Sequence, residues 1–183
     1  DMMNKSNPVL LARVAIPNSG YVHNIWPSDD GKYVITTEET IGKTVKIWSI
    51  EDMANIHVIG EYLGDNLIAH NAQVMGSRIF LSHYSYGIAV VDFANPNDPI
   101  LSGYWDTSLA DNDQPSPWLG TWGVYPYTEN GYVYGSDLNG LFTVLNYEKG
   151  LDNYLLGDVN EDHSVDNLDF NFILDAVLNN YEL

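Results

Sequence analysis

Three stretches of this chain repeat one another, and a repeated supersecondary unit restricts a fold more tightly than composition does. HNIWPSDDGKYVITTEE from His23 leads to TVKIWSI, HNAQVMGSRIFLSHY from His70 leads to GIAVVDF, and WGVYPYTENGYVYGSDL from Trp122 leads to GLFTVLNY. Each reads as strand, polar turn, strand, second turn and apolar strand. The alternation over 33–37 and the β-branched and aromatic runs at 45–48, 88–93 and 141–144 favour β throughout. Between repeats lie Asn- and Pro-rich turns and a further strand: NPNDPILSGYWD after Asp92 is matched by MNKSNPVLLARVA after Asp1, with Asp1 in the place of Asp92, Asn4 of Asn95 and Pro8 of Pro99. Four-stranded units recurring about every 45 residues predict a β-propeller, because a sandwich does not require its hairpins to match in sequence. If Asp1 is equivalent to Asp92, the chain starts in mid-blade and holds about three blades, whereas closed propellers take about four to eight. The expectation is the C-terminal part of a larger propeller, completed by missing blades of the same parent protein or by another chain.

The segment AHNAQVMGSRIFLSHYSYGIAVVDFANPNDPILSGYWDT resembles the LVIVD repeat of β-propellers in bacterial and archaeal surface proteins, with IAVVD standing for the repeat's name. WGVYPYTENGYVYGSDLNGLFTVL is similar to the last blade of the choice-of-anchor B type, which joins such a propeller to varied C-terminal anchoring modules. The resemblance covers most of 1–147. TVKIWSI also looks like the end of a WD40 blade, although the Gly-His start is missing.

The repeat alignment places His23, His70 and Trp122 at the start of the innermost strands, and Glu38, His83 and Asp137 at the end of the neighbouring ones. Strand pairing should gather them at one mouth of the axial channel. His23, Glu38, His70, His83 and Asp137 then form a candidate ligand site, since imidazole and carboxylate suit several divalent ions. The alternative, which we favour, is that the His-Asn pairs His23-Asn24 and His70-Asn71 cap turns and bond backbone groups once per blade. Glu38, Glu39 and Asp137 are also the carboxylates from which a hydrolase pair would be drawn, a chemistry decided by their separation. Trp105, Trp118, Trp122, Tyr125 and Tyr127 cluster around the insertion SLADNDQPSPWLG, either as core or as rings that stack on a carbohydrate or anchor a protein.

A second module is written in LGDVNEDHSVDNLD. Counted from Asp158, oxygen ligands fall at the calcium-loop positions: Asp158 at one, Asn160 at three, Asp162 at five, Ser164 at seven through its carbonyl, Asp166 at nine and Asp169 at twelve. His163 stands where Gly makes the sharp turn, and Asp169 replaces the closing Glu with a shorter arm. The residues before Asp158 are too Gly-punctuated for an incoming helix, whereas Phe172, Ile173 and Ala176 on one face and Phe170, Leu174, Val177, Leu178 and Tyr181 on another predict an outgoing one. The run resembles one half of a dockerin, the calcium-dependent plug of cohesins, over about the last thirty residues. That resemblance implies Ca2+ at Asp158, Asn160, Asp162, Asp166 and Asp169, and Asn167 and Leu168 at the positions that face the partner. Dockerins normally carry two such repeats. The expected fold class is therefore mainly β: a partial β-propeller of about three blades over 1–150 and a small α, calcium-binding dockerin-like module over 151–183.

Seven Lys and Arg stand against 25 Asp and Glu, a formal charge of −18, so a phosphate backbone is repelled and cations are attracted. No apolar run is long enough to span a membrane, and the absence of Cys excludes a disulfide framework and thiolate chemistry. No nucleophile elbow, P-loop, dinucleotide fingerprint or zinc-protease motif appears. The functional expectation is a non-catalytic propeller, extracellular or at the cell surface, serving adhesion, protein binding or scaffold assembly with a cohesin-like protein as partner. The alternatives are a dockerin-tethered component acting on polysaccharides and a structural subunit that completes a propeller with another chain.

Overall fold

The computed structural model describes residues 5–64, 68–107 and 117–147. These are all β, with no helix among them, and form three antiparallel sheets. The first has the order β1 (Val22–Pro27), β2 (Tyr33–Glu38), β3 (Val45–Ser49), β4 (His57–Tyr62). The second runs β5 (Asn71–Met75), β6 (Arg78–Ser82), β7 (Ile88–Asp92), β8 (Ile100–Trp105), and the third runs β9 (Thr121–Tyr125), β10 (Tyr132–Asp137), β11 (Phe142–Asn146). Every sheet is a meander of neighbours in sequence, as the repeats require. The turn after β5 shows why the sequence permits this: Met75 pairs with Arg78, leaving two residues to reverse the chain, and Gly76 takes the positive φ of 59° that such a tight hairpin needs.

The sheets stack through their faces, with the innermost strands β1, β5 and β9 adjacent in turn. Ile35, Val45 and Ile47 of the first sheet meet Ala72, Val74, Ile79, Leu81, Ala89 and Val91 of the second in one core, all at most 1% exposed. On its other side the second sheet meets the third, where a Cβ at Gly135 would lie 2.7 Å from Ile88 Cδ1. Gly120 sits so close to the Tyr84 carbonyl, 2.2 Å from a hypothetical Cβ, that the approach of these two sheets demands glycine there. Meanders fanned around adjacent inner strands are blades of a partial β-propeller, and the middle blade is covered on both faces.

One expectation about strands is corrected. Residues 8–16, aligned by sequence with the outer strand β8, are not a strand, since β8 is held by its ladder to β7 and 8–16 have no such neighbour. Instead Ala12, Val14 and Ile16 lie over the face of the first sheet that is turned away from the second, and with Ile25, Trp48 and Ile50 they line an open groove of about 240 Å³. The third sheet shows three strands among the described residues, and the stretch after β11 where a fourth would fall lies outside them. The calcium loop and its outgoing helix lie outside the described residues.

Candidate functional site

The inner strands carry a repeated interlock. His23 is the extra residue of a bulge, because Val22 pairs with Glu38 and Asn24 with Thr37, and its ring is thereby turned toward the second sheet. His23 Nδ1 lies 3.2 Å from the His70 carbonyl oxygen, and Thr37 Oγ1 donates to the same oxygen at 2.6 Å. One blade further on, His70 Nδ1 lies 2.6 Å from the Trp122 carbonyl oxygen, and Ser82 Oγ, the equivalent of Thr37, donates to it at 3.0 Å. Asn24 Oδ1 accepts from Ala72 N at 3.1 Å, while Asn71 Nδ2 donates to the Trp122 carbonyl at 3.1 Å. The His-Asn pairs thus bond backbone groups of the next sheet once per blade, the favoured reading of these residues.

The same geometry brings rings together. His23 and His70 stand 4.2 Å apart between centroids, and His70 stacks on Trp122 at 5.0 Å and 22°. Glu39 completes the group: its Oε2 is 3.8 Å from His23 Nε2, and its Oε1 accepts from the Tyr84 hydroxyl. The donor atoms of His23, Glu39 and His70 lie within 4.8 Å of one another. His70 is 2% exposed, and its Nε2 has no hydrogen-bond partner among the described residues. Burial holds the His70 imidazole below its ordinary pKa, against the opposing pull of the Trp122 carbonyl, and so favours the neutral ring. Burial and the Glu39 carboxylate push the Tyr84 phenol up, which keeps it a donor.

Glu38, His83 and Asp137 do not join this group. Alternation places Glu38 on the face of β2 that carries Thr36, where its carboxylate meets the Lys46 ammonium and the Gly20 N–H. His83 packs against the segment after β4, since a Cβ on Gly64 would come within 2.4 Å of His83 Nε2. Asp137 Oδ2 accepts from Thr107 Oγ1 at 2.8 Å, just after β8. All three equivalent residues therefore hold the connection that enters their own sheet. Glu38, Glu39 and Asp137 each serve a different partner, so the carboxylates are not paired with one another. Sequence reasoning named Glu39 only as a hydrolase carboxylate, because the bulge that swings His23 toward it leaves no mark in the alignment.

Of the aromatic cluster, Trp105, Trp118, Trp122 and Tyr125 are exposed, whereas the Tyr127 hydroxyl reaches the Val74 carbonyl at 2.5 Å and its ring stacks on Trp26. Burial raises the Tyr127 pKa, which keeps that hydroxyl protonated and donating. Residues 108–116 of the insertion lie outside the described residues, as do the calcium-loop positions Asp158, Asn160, Asp162, Ser164, Asp166 and Asp169 and the partner-facing Asn167 and Leu168.

No protein-family model matches the chain, and no curated protein sequence does. Among solved structures it is similar to the β-propeller domain of Cps50 (Swd1) from Myceliophteria thermophila, at 13% identity and a TM-score of 0.48, over 68% of this chain and 38% of that one. It is also similar to the computationally designed Ika4 protein, at 13% identity and a TM-score of 0.45, over 78% of this chain and the whole of that one.

Proposed function

We propose that this chain is a non-catalytic propeller segment that works outside the cell or at its surface, docks further blades of its own kind through its third sheet, and carries a calcium-binding dockerin-like end. Adhesion, protein binding or scaffold assembly is the work this suits. The observation that carries the docking is the outer face of the third sheet. Ile88 of β7 is 1% exposed in the middle blade, while its equivalent in β11, Phe142, is 68% exposed. Val144, Tyr125 and Tyr132 open onto the same face at 39–50% exposure. Covering such side chains contributes on the order of 1.5–3 kcal/mol each, and monomeric proteins rarely leave a contiguous patch of this kind open.

The occupant that fits is another sheet of the same repeat. Both interfaces already formed use one chemistry, a ring nitrogen and a hydroxyl from one blade meeting a carbonyl of the next, and Ser136 occupies on β10 the place held by Thr37 and Ser82. The dockerin-like end is supported by the ligand spacing from Asp158 to Asp169 and by the charge of −18, which a bound cation relieves. No helix among the described residues is long and apolar enough to cross a membrane.

Sedimentation of the chain against a Phe142→Ser, Val144→Ser variant tests the docking. Association of the parent that weakens at least about tenfold in the variant is expected, a loss of about 1.4 kcal/mol; a parent that stays monomeric at the highest attainable concentration refutes it. The calcium half is separable. Calorimetric titration should show saturable uptake that is lost in Asp158→Ala, Asp162→Ala, and a parent that takes up no calcium removes the dockerin-like end from the reading.

A further inference from the structure

His23, His70 and Glu39 offer something the interlock does not use. Carbonyl oxygens only accept, so the contacts of His23 Nδ1 with the His70 carbonyl and of His70 Nδ1 with the Trp122 carbonyl place a hydrogen on both Nδ1 atoms. In the neutral ring the Nε2 atoms then carry the lone pairs. A second nitrogen tied to a backbone carbonyl is the arrangement that orients imidazole for a metal, fixing tautomer and ring plane together. His70 Nε2 is buried with no hydrogen-bond partner among the described residues, and a buried lone pair left so costs free energy unless something meets it. Ligating atoms of His70, His23 and Glu39, one from each, lie within 4.8 Å of one another, on a sheet interface rather than in a solvated acidic turn.

We propose that His23 Nε2, His70 Nε2 and the Glu39 carboxylate bind a first-row divalent ion of the zinc type, bridging the first and second sheets. Two nitrogens and one carboxylate select against calcium and magnesium, which take oxygen. Tetrahedral zinc with metal-to-nitrogen distances of about 2.0–2.1 Å holds its donors about 3.4 Å apart, so the widest pair of the group must close by on the order of 1 Å. The exposed His23 and the half-buried Glu39 side chains can supply that closure. Tyr84, already bonded to Glu39, orients the carboxylate as the carbonyls orient the rings. Three protein ligands leave a position open to water or to a donor from a partner. The site is independent of the calcium loop and of the docking face.

The test is titration of the full chain, held in saturating calcium, with Zn(II) alone, repeated with Co(II) to read the visible ligand-field bands. One equivalent is expected, with cobalt bands of a nitrogen-containing site. Glu39→Gln and His70→Gln should each weaken binding at least about tenfold, while Asp158→Ala, Asp162→Ala leaves it unchanged. Glu39→Gln lies at a half-buried position and His70→Gln in the interlock, so a fold defect in the second leaves the first decisive. A folded parent that binds no stoichiometric zinc overturns the proposal. So does a Glu39→Gln chain that binds as tightly as the parent, or zinc uptake that vanishes with the calcium-loop variant.

Discussion

Lys46 and Glu38 are an ion pair with side chains 5% and 0% exposed, inside a chain short of cations. Removing one partner of such a pair strands a charge away from water, which costs about 3–5 kcal/mol, whereas replacing both with groups of similar shape is far milder. Lys46→Met should therefore lose about 3–5 kcal/mol in urea unfolding, and adding Glu38→Gln should restore most of it. The amide oxygen of that Gln still accepts from the Gly20 N–H that Glu38 now serves. A single-variant cost below about 1 kcal/mol would mean that water reaches the pair. Sequence alone placed Glu38 beside the histidines, since its repeat position matches His83 and Asp137. Period-two alternation decided otherwise: Thr37 faces the next sheet and Glu38 faces away, while the neglected neighbour Glu39 meets His23.

The strands differ in how they are covered, and their exchange kinetics should follow. Every residue of β6 is buried, and β7 packs between two sheets, whereas β9 and β10 mix buried and open positions and β11 alternates half-buried and exposed ones, because one face has no neighbour among the described residues. Amide hydrogens of β6 and β7 should exchange only with global opening, and those of β9 to β11 earlier, through local opening. Uniform protection across the two sheets in a demonstrated monomer would contradict the open face. The strands themselves were readable, because a β-branched run bounded by Gly and polar turns carries its period in the sequence. The status of 8–16 was not, since NPVLLARVA has the composition of β8 but a strand exists only where a ladder partner stands beside it.

Three matched repeats carry the blade order in the sequence itself, because a repeat that stacks on its neighbour must keep the surface by which it stacks. What they did not reveal is that the stacking has a sense. In the repeated interlock the donors, His23 with Thr37 and His70 with Ser82, belong to the earlier blade and the carbonyl acceptors to the later one, while the phenols of Tyr84 and Tyr127 donate in the opposite sense. The face of the third sheet is therefore a donor face and that of the first an acceptor face, with 12–16 lying over part of the latter. Chains blocked separately, by Phe142→Arg on the donor face and Ile25→Arg on the acceptor face, should each stay monomeric yet pair when mixed. Pairing of neither mixture nor parent would exclude self-assembly by this route.

The single sense of the repeated interlock makes the segment a vector. Contacts that join head to tail either grow without limit or close into a ring, and the copy number at closure is fixed by the angle each unit subtends. Two copies of the three described sheets supply six, inside the span of about four to eight at which propellers close. A pair would thus be self-terminating, and filaments would appear only where closure is prevented.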